Sequence, residues 1–217
     1  MTKLVMRLKA LTPAFERAVM KHWYQYAAKR VQQTDWVFMN FGYAELDIAA
    51  GLDRDVADWL CEELRVHFDF ECAETLQAFG TVHLLVNNAA ANARGTFDTL
   101  DPAAIADVID TNLKAPLLLT RLALPHLRSS RGVVVNVASI AGHVPLPHEG
   151  PYCASKWGLR GFTFAVREEL REAGVALCAV SPGPIATPFV LDDLDHVPDL
   201  VFSQPILTAE QVADAVV

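Results

Sequence analysis

The chain has 217 residues, of which 52% are hydrophobic and 20% are charged, and its formal net charge is −8. Such a chain is globular and long enough for one domain with a buried core, and its acidic balance argues against a nucleic-acid partner. No run approaches the ~20 apolar residues of a membrane-spanning helix. Four cysteines without metal-ligand spacing, and no uninterrupted apolar run near residue 1, predict a cytoplasmic protein without a metal site.

Residues 1–75 differ in texture from the rest of the chain. Apolar residues recur at helical spacing from Leu4 to Trp23 and again over 53–68. The first helix carries basic residues opposite its apolar face, which would suit an anionic membrane surface. Docking on the body of the protein is the commoner arrangement for such a helix, so we expect no membrane contact. We predict a mainly helical N-terminal segment over 1–75 that is not a complete domain.

After residue 75 the pattern changes to three short apolar runs, at 82–86, 133–137 and 175–180, separated by helical patterns at about 102–128 and 151–173. Apolar strands that alternate with helices indicate a parallel sheet covered on both faces. Turn residues follow each run, and ligands bind at these carboxyl ends of the strands. The predicted fold is α/β, an incomplete Rossmann-like parallel sheet with flanking helices.

Two side chains near the start of the second helical pattern point to proton transfer. Tyr152 and Lys156 are four residues apart and therefore share one helix face. An ammonium beside a phenol should lower the phenol pKa from about 10 and allow proton exchange.

Two polar residues elsewhere gain meaning only beside this pair. Ser139 follows the 133–137 run, where its hydroxyl would bond a substrate oxygen or merely cap the next turn. Asn112 lies inside a predicted helix, where it marks either a kink with a bound water or an exposed position.

Taken together, residues 79–189 resemble the short-chain dehydrogenase/reductase family in order and spacing. Three motifs carry most of the resemblance. The family's NNAG turn is similar to Asn87-Asn88-Ala89-Ala90, its YxASK motif to Tyr152-Cys153-Ala154-Ser155-Lys156, and its PG turn and threonine to Ser181-Pro182-Gly183-Pro184-Ile185-Ala186-Thr187.

The resemblance implies an oxidoreductase that transfers hydride between NAD or NADP and a small-molecule alcohol or carbonyl substrate. It assigns proton transfer to Tyr152, ribose binding and tyrosine activation to Lys156, the substrate oxygen to Ser139, and a water to Asn112. The implied cofactor-binding residues are Asn88, Ala89, Ala90, Tyr152, Lys156, Pro182, Gly183, Ile185 and Thr187. It also implies a homodimer or homotetramer built on the two long helices, with Gly158 and Gly161 permitting close packing.

The family's cofactor half does not appear in the expected place. A TGxxxGxG loop should precede residue 80 to receive the pyrophosphate, yet only Gly42 and Gly51 occur there. Residues 36–44 resemble instead the N-terminal cap of S-adenosylmethionine-dependent methyltransferases, although the glycine loop of that family does not follow, which counts against a methyltransferase. From Leu207 the chain is typical of an amphipathic helix with Thr208 as its N-cap.

Residues 76–217 are therefore predicted to be the catalytic half of the short-chain dehydrogenase/reductase fold, truncated at the C-terminus. Two functions stay open at this point. The first is the oxidoreductase. The second is a non-catalytic fragment or fusion product that acts as an interaction or dimerisation module.

Overall fold

A computed structural model describes Leu76 and residues 80–216 apart from 192, 193, 195 and 196. The predicted N-terminal helices and the methyltransferase-like stretch lie outside these residues. The regular elements are β1 (Leu84–Asn87), α1 (Pro102–Ile109), α2 (Ala115–Ser130), β2 (Val133–Val137), α3 (Gly150–Leu170), β3 (Ala176–Val180), α4 (Pro188–Leu191) and α5 (Ala209–Val216). A π turn at Asp110–Lys114 joins α1 to α2, and short 3₁₀ helices lie at Phe97–Thr99, Ile140–Gly142 and Asp199–Ser203.

In the described part of the chain, β1, β2 and β3 form a parallel sheet in that order. Asn87 pairs with Asn136 at one junction, and Val137 pairs with Val180 at the other. Helices connect the successive strands, so all three strands run in one direction and end at one edge of the sheet. The predicted Rossmann-like α/β fold is confirmed.

Helices α2 and α3 cover one face of the sheet. Because side chains alternate along a strand, Leu85, Val134 and Leu177 point to this face, and all three are at most 1% exposed. They pack against Leu119, Ala123, Leu127 and Leu170 of the two helices. Full burial of each such aliphatic side chain contributes roughly 1.5–3 kcal/mol, which makes this layer the main apolar core.

The opposite face is covered less completely by the described residues. Val86, Val135 and Val137 form a smaller cluster there, and Val216 of α5 packs against it. Cys178 lies on this face of β3 and is exposed, whereas Leu177 beside it is buried. The two neighbours differ in exposure because consecutive residues of a strand face opposite sides of the sheet.

The long helical pattern predicted at 102–128 is interrupted in the structure. Asp101 caps α1 by accepting a hydrogen bond from the Ala103 amide at 3.0 Å. At the π turn the Ala115 amide donates to the Asp110 carbonyl, one residue further back than in an α-helix. Pro116 has no amide hydrogen, so it cannot bond the Asn112 carbonyl as an α-helix would require. Pro116 therefore favours an interruption of the helix at this point, which the apolar periodicity alone does not indicate.

The amino ends of β1 and β2 meet the end of α2 in a tightly packed turn. Arg131 adopts a left-handed conformation with φ of 53° and ends the helix. Gly132 follows, and a Cβ there would lie only 2.6 Å from the His83 carbonyl oxygen. The Ser130 hydroxyl donates to the Val82 carbonyl at 2.6 Å. We call this turn, residues 130–132 with Val82 and His83, the amino edge.

The last helix begins as the sequence predicts. The Gln211 amide donates to the Thr208 hydroxyl at 3.3 Å, and the Gln211 side chain accepts from the Thr208 amide at 2.8 Å. This reciprocal pair satisfies two amides that a helix start otherwise leaves free. Among the residues with described structure, no helix is both long enough and apolar enough to cross a bilayer.

Candidate active site

Tyr152 and Lys156 lie one above the other on the first turns of α3, with 8% and 1% exposure. Pro151, whose fixed φ suits a helix start, stands just before the tyrosine. The Lys156 ammonium donates to the Val137 carbonyl at 2.9 Å and lies 5.6 Å from the centre of the Tyr152 ring. The lysine thereby ties the helix to the carboxyl end of β2.

Ser139 is placed next to the tyrosine by the end of β2. It caps the 3₁₀ helix at Ile140–Gly142, where its hydroxyl oxygen accepts from the Ala141 amide at 3.1 Å. Its side chain also lies near enough to the Tyr152 phenol to lower the pKa of that group. Because the amide occupies only a lone pair, the hydroxyl hydrogen remains available to the tyrosine or to a bound oxygen. Ser139 therefore caps the next turn and also lies beside Tyr152 in the candidate site.

Burial dominates the protonation of both groups. It raises the pKa of Tyr152 from 10.0 to about 12, and the Ser139 side chain lowers it by less. Burial also lowers the pKa of Lys156 from 10.5 to about 8. The Tyr152 pKa is raised, contrary to the prediction, because loss of hydration is the largest influence and Lys156 is not among the groups that shift the pKa of the phenol.

Asn112 lies in the π turn and is fully buried. Its side chain accepts from the Ala91 amide at 2.7 Å and donates to the Ala91 carbonyl at 2.8 Å. A third hydrogen bond goes to the Ser155 hydroxyl of α3 at 3.1 Å. Asn112 thus joins the loop after β1 to α3. Its predicted role in holding a water stays a prediction.

The predicted cofactor-binding residues lie in two turns on either side of Ser139. Asn88, Ala89 and Ala90 follow β1 directly, and a cleft beside them is lined by Asn87, Asn88, Ala89, Thr111, Ala115, Pro116 and Leu119. Pro182 and Gly183 follow β3, and the Pro182 carbonyl accepts from the Ile140 amide at 2.9 Å. Further along, Ile185 bridges to Leu207 and Thr187 precedes α4. We call these three strand ends and their turns the carboxyl edge.

A neutral hydrogen-bond network beneath this edge holds the strand ends in place. The Asn87 amide donates to the Asn136 side-chain oxygen at 2.7 Å, and the Asn136 amide donates to the Thr163 hydroxyl at 2.8 Å. Asn136 and Thr163 are fully buried. The network links β1, β2 and α3, so it fixes the positions from which the site residues project.

The motifs do not include an ion pair that lies close to Tyr152. Arg94 Nε and Glu149 Oε1 are 2.7 Å apart, and the side chains are 8% and 3% exposed. The residues are 55 positions apart in the chain, and no periodicity relates them. The only indication of this pair in the sequence was that Glu149, a carboxylate, stands three residues before Tyr152. In the part of the chain that the structure describes, no group of three metal-ligating side chains occurs.

Comparison with known proteins identifies the family to which this site belongs. A sequence profile described as short chain dehydrogenase matches residues 70–196. Ketoacyl reductase HetN of Nostoc sp. is 39% identical over 140 residues, which are 64% of this chain and 48% of that protein. Trans-4-hydroxycyclohexanecarboxylate dehydrogenase of Sinomonas cyclohexanicum is 32% identical over 146 residues, 64% of this chain and 54% of that protein.

A third relative comes from a mammal. Dehydrogenase/reductase SDR family member 7B of Bos taurus is 36% identical over 116 residues, 53% of this chain and 36% of that protein. The chain therefore spans about half or less of the length of these relatives. Since the profile covers more than half of the 217 residues, the chain belongs to the short-chain dehydrogenase/reductase family.

Proposed function

We propose that the chain acts in an oxidoreductase that transfers hydride between NAD or NADP and a small alcohol or carbonyl compound, with Tyr152 as the acid/base. One observation carries the proposal. Tyr152, Ser139 and Lys156 converge at the carboxyl edge: Ser139 acts on the pKa of the Tyr152 phenol, and the Lys156 ammonium lies 5.6 Å from the centre of the Tyr152 ring and donates to the Val137 carbonyl. Three of the relatives are named as reductases or dehydrogenases, which supports the same class of reaction.

The arrangement supports a defined role for each side chain. Ser139, whose oxygen already accepts from Ala141, has its hydroxyl hydrogen left to donate to a substrate oxygen as charge develops there. Tyr152, with a pKa raised to about 12, carries its proton at neutral pH, so the proton is present to be donated to that oxygen as the oxygen becomes basic in the reduction direction. In the oxidation direction the base is the deprotonated tyrosine. A positive charge beside its ring would stabilise that form by lowering the pKa of the phenol.

The residues at this edge fit the nicotinamide-ribose half of such a cofactor. The Lys156 ammonium has three N–H groups, and within the described residues it donates only to Val137, which leaves two for ribose hydroxyls. Asn88 and Ala89 border the cleft after β1, and Pro182 and Thr187 border the turns after β3. A bound nicotinamide would supply or accept the hydride. The pyrophosphate has no glycine-rich loop before Gly80 in this sequence, so we expect weak cofactor binding.

We also propose that copies of the chain associate through α3 as a homodimer or homotetramer. Trp157 and Phe164 of α3 are 49% and 41% exposed, and nothing lies within 4 Å of a Cβ on Gly161 between them. Gly158, by contrast, already packs against Leu113, whose Cδ2 would be 2.9 Å from a Cβ there. A cytoplasmic setting is part of the proposal, supported by the free thiols of Cys153 and Cys178.

Turnover tests the proposed reaction. The purified chain is incubated with NADPH or NADH and a panel of β-ketoacyl thioesters and cyclic ketones, and the nicotinamide absorbance is followed. We expect slow oxidation of one cofactor that depends on the carbonyl compound, and a loss of about 10²–10⁴-fold in Tyr152→Phe, which retains the ring but has no proton to transfer.

Two controls make the result decisive. Tyr152→Phe must keep the circular dichroism of the parent chain. If neither cofactor binds in a fluorescence titration and no carbonyl is reduced, the oxidoreductase is wrong for this chain and the non-catalytic module is correct.

A further inference from the structure

A buried ion pair beside the tyrosine is unexplained by the family motifs. Arg94 and Glu149 are joined at 2.7 Å and are almost fully enclosed. Removing two charges from water is costly, and an apolar pair of similar volume often stabilises a protein as well or better. A buried ion pair that adds little stability is better explained by the geometry that it imposes on its neighbours.

The pair joins three segments that are distant in sequence. Arg94 lies in the loop after β1, and Glu149 is the N-cap residue of α3, where its carbonyl accepts from the Cys153 amide at 2.8 Å. Arg94 also donates to the Phe189 carbonyl of α4 at 3.2 Å. A separate backbone bond, from Gly95 to the His148 carbonyl at 3.0 Å, holds the same loop against the start of α3.

These segments enclose Tyr152 from one side. The Arg94 guanidinium lies 5.3 Å from the centre of the Phe189 ring, and that ring lies 5.9 Å from the Tyr152 ring at an angle of 44°. Phe189 packs against the buried cluster that contains Tyr152. The Glu149 carboxylate, the Arg94 guanidinium, the Phe189 ring and the Tyr152 ring therefore follow one another in a row of contacts.

We propose that Arg94 and Glu149 are a positioning pair, which holds the Phe189 ring against Tyr152 and balances the charge beside the phenol. The proposal rests on the proposed function only in that Tyr152 is the acid/base. Neither residue is required to touch substrate. Their effect passes through the orientation of the tyrosine and through the field at its oxygen.

The opposed charges of the pair make this role measurable. Glu149 raises the pKa of Tyr152 and Arg94 lowers it, both by charge. The other groups that act on the phenol are the Ser139 hydroxyl and the Cys153 thiol, and the Lys156 ammonium lies over its ring. Removing one member of the pair removes one of these two opposed influences on the phenol, whereas removing both removes the two together.

The experiment titrates Tyr152 in the full chain without cofactor or turnover. Tyrosine is replaced biosynthetically by a ring-fluorinated analogue, whose greater acidity brings the phenol into the pH range in which proteins stay folded. Fluorine NMR then follows each ring, and Tyr152→Phe identifies the resonance of residue 152. The variants are Arg94→Met, Glu149→Gln, the double variant and Arg94→Lys.

We expect opposite shifts in the two single variants. Arg94→Met should raise the midpoint of the residue 152 titration and Glu149→Gln should lower it, each by about one pH unit. The double variant should return to the parent midpoint, and Arg94→Lys, which keeps the charge, should stay near it. If Arg94→Met does not fold, the fall in Glu149→Gln and the recovery in the double variant carry the same test.

A purely structural ion pair predicts a different outcome. Both single variants would then loosen the start of α3 and move the midpoint in one direction, and the double variant would resemble the worse of the two. That result overturns the proposal. Opposed shifts in a chain that turns over no substrate would uphold the pair and contradict the oxidoreductase, so the two failures are distinguishable.

Discussion

The two edges of the sheet are built from the same three strands but by different means. At the amino edge, Gly132 lies against the His83 carbonyl, and Ser130 bonds a backbone oxygen. At the carboxyl edge, buried polar side chains such as Ser139 and Lys156 meet beside Tyr152. Close packing at one edge and buried titratable groups at the other indicate that stability and chemistry are separated along the strand axis.

Among the variants that compare the two edges, Ser139→Ala at the carboxyl edge should have the largest effect. Ser139→Ala removes the hydroxyl beside Tyr152, and we expect turnover to fall by about 10²–10³-fold, as for other lost donors to a developing negative charge. Loss of the cap on Ala141 should lower the free energy of unfolding by only about 1 kcal/mol. Turnover and urea unfolding measure the two effects separately.

Ser130→Ala is the matched control at the amino edge. Its hydroxyl also bonds the backbone, in this case by donating to the Val82 carbonyl, so we expect a stability loss of about 1 kcal/mol and unchanged turnover. Equal losses of turnover in both variants would contradict the division between the edges.

Gly132→Ala tests the packing of the amino edge. The new Cβ would lie 2.6 Å from the His83 carbonyl oxygen and 2.7 Å from Leu127 Cδ2. The strand must shift to relieve this contact, which should lower the free energy of unfolding by roughly 1–3 kcal/mol. We expect the turnover of the folded molecules to be retained. A variant as stable as the parent would show that the edge is looser than the geometry indicates.

The pH dependence of stability tests the buried charges of the carboxyl edge. Burial lowers the pKa of Lys156 from 10.5 to about 8, so between these values the unfolded chain binds a proton that the folded chain lacks. The free energy of unfolding should therefore rise with pH from about 8, by up to about 1.4 kcal/mol per unit. Lys156→Met should remove this rise.

Tyr152 acts in the opposite direction at higher pH. Its pKa rises from 10.0 in the unfolded chain to about 12 in the folded chain, so the folded chain keeps a proton that the unfolded chain loses. Stability should fall with pH over that window, and Tyr152→Phe should remove the fall. Urea unfolding from neutral to alkaline pH measures both slopes. A profile that is unchanged in both variants would mean that neither group is buried.

The smallest effect separates two glycines that the sequence presents alike. Gly161→Ala meets open space in the chain and should raise helix stability by up to about 1 kcal/mol, measured at concentrations that disfavour association. In Gly158→Ala the new Cβ would press on Leu113 Cδ2 at 2.9 Å, so the gain should be cancelled or reversed. Thermal unfolding of both variants gives the comparison, and equal gains would contradict the packing of α3 on the π turn.

Sequence patterns predicted the features that depend on neighbouring residues. The run at 133–137 is a strand because its apolar side chains fit both faces of a sheet, and Thr208 caps α5 because Gln211 stands three residues on. The family motifs brought Tyr152 and Lys156 to one helix face, as the structure has them.

Features that depend on distant partners were not predicted. A kink at Asn112 was one of two open alternatives, but its partner, the Ala91 backbone 21 residues away, was not predicted. Neither was the contact between Arg94 and Glu149 across 55 residues. The direction of the Tyr152 pKa depends on burial by several segments, whereas spacing revealed only the neighbouring ammonium. The spacing of residues within one segment does not indicate contacts between distant segments.

The π turn at Asp110–Lys114 also has a consequence for changes in chain length. An α-helix turns by about 100° per residue, so one additional residue rotates the buried stripe of α2 relative to that of α1. Deleting a residue here would remove this additional rotation and so turn Leu119 and Ala123 away from the sheet. Because of the additional residue, Asn112 faces the loop after β1 while the later turns of α2 face the core. A regular helix of the same sequence would not point both sets of side chains in these directions.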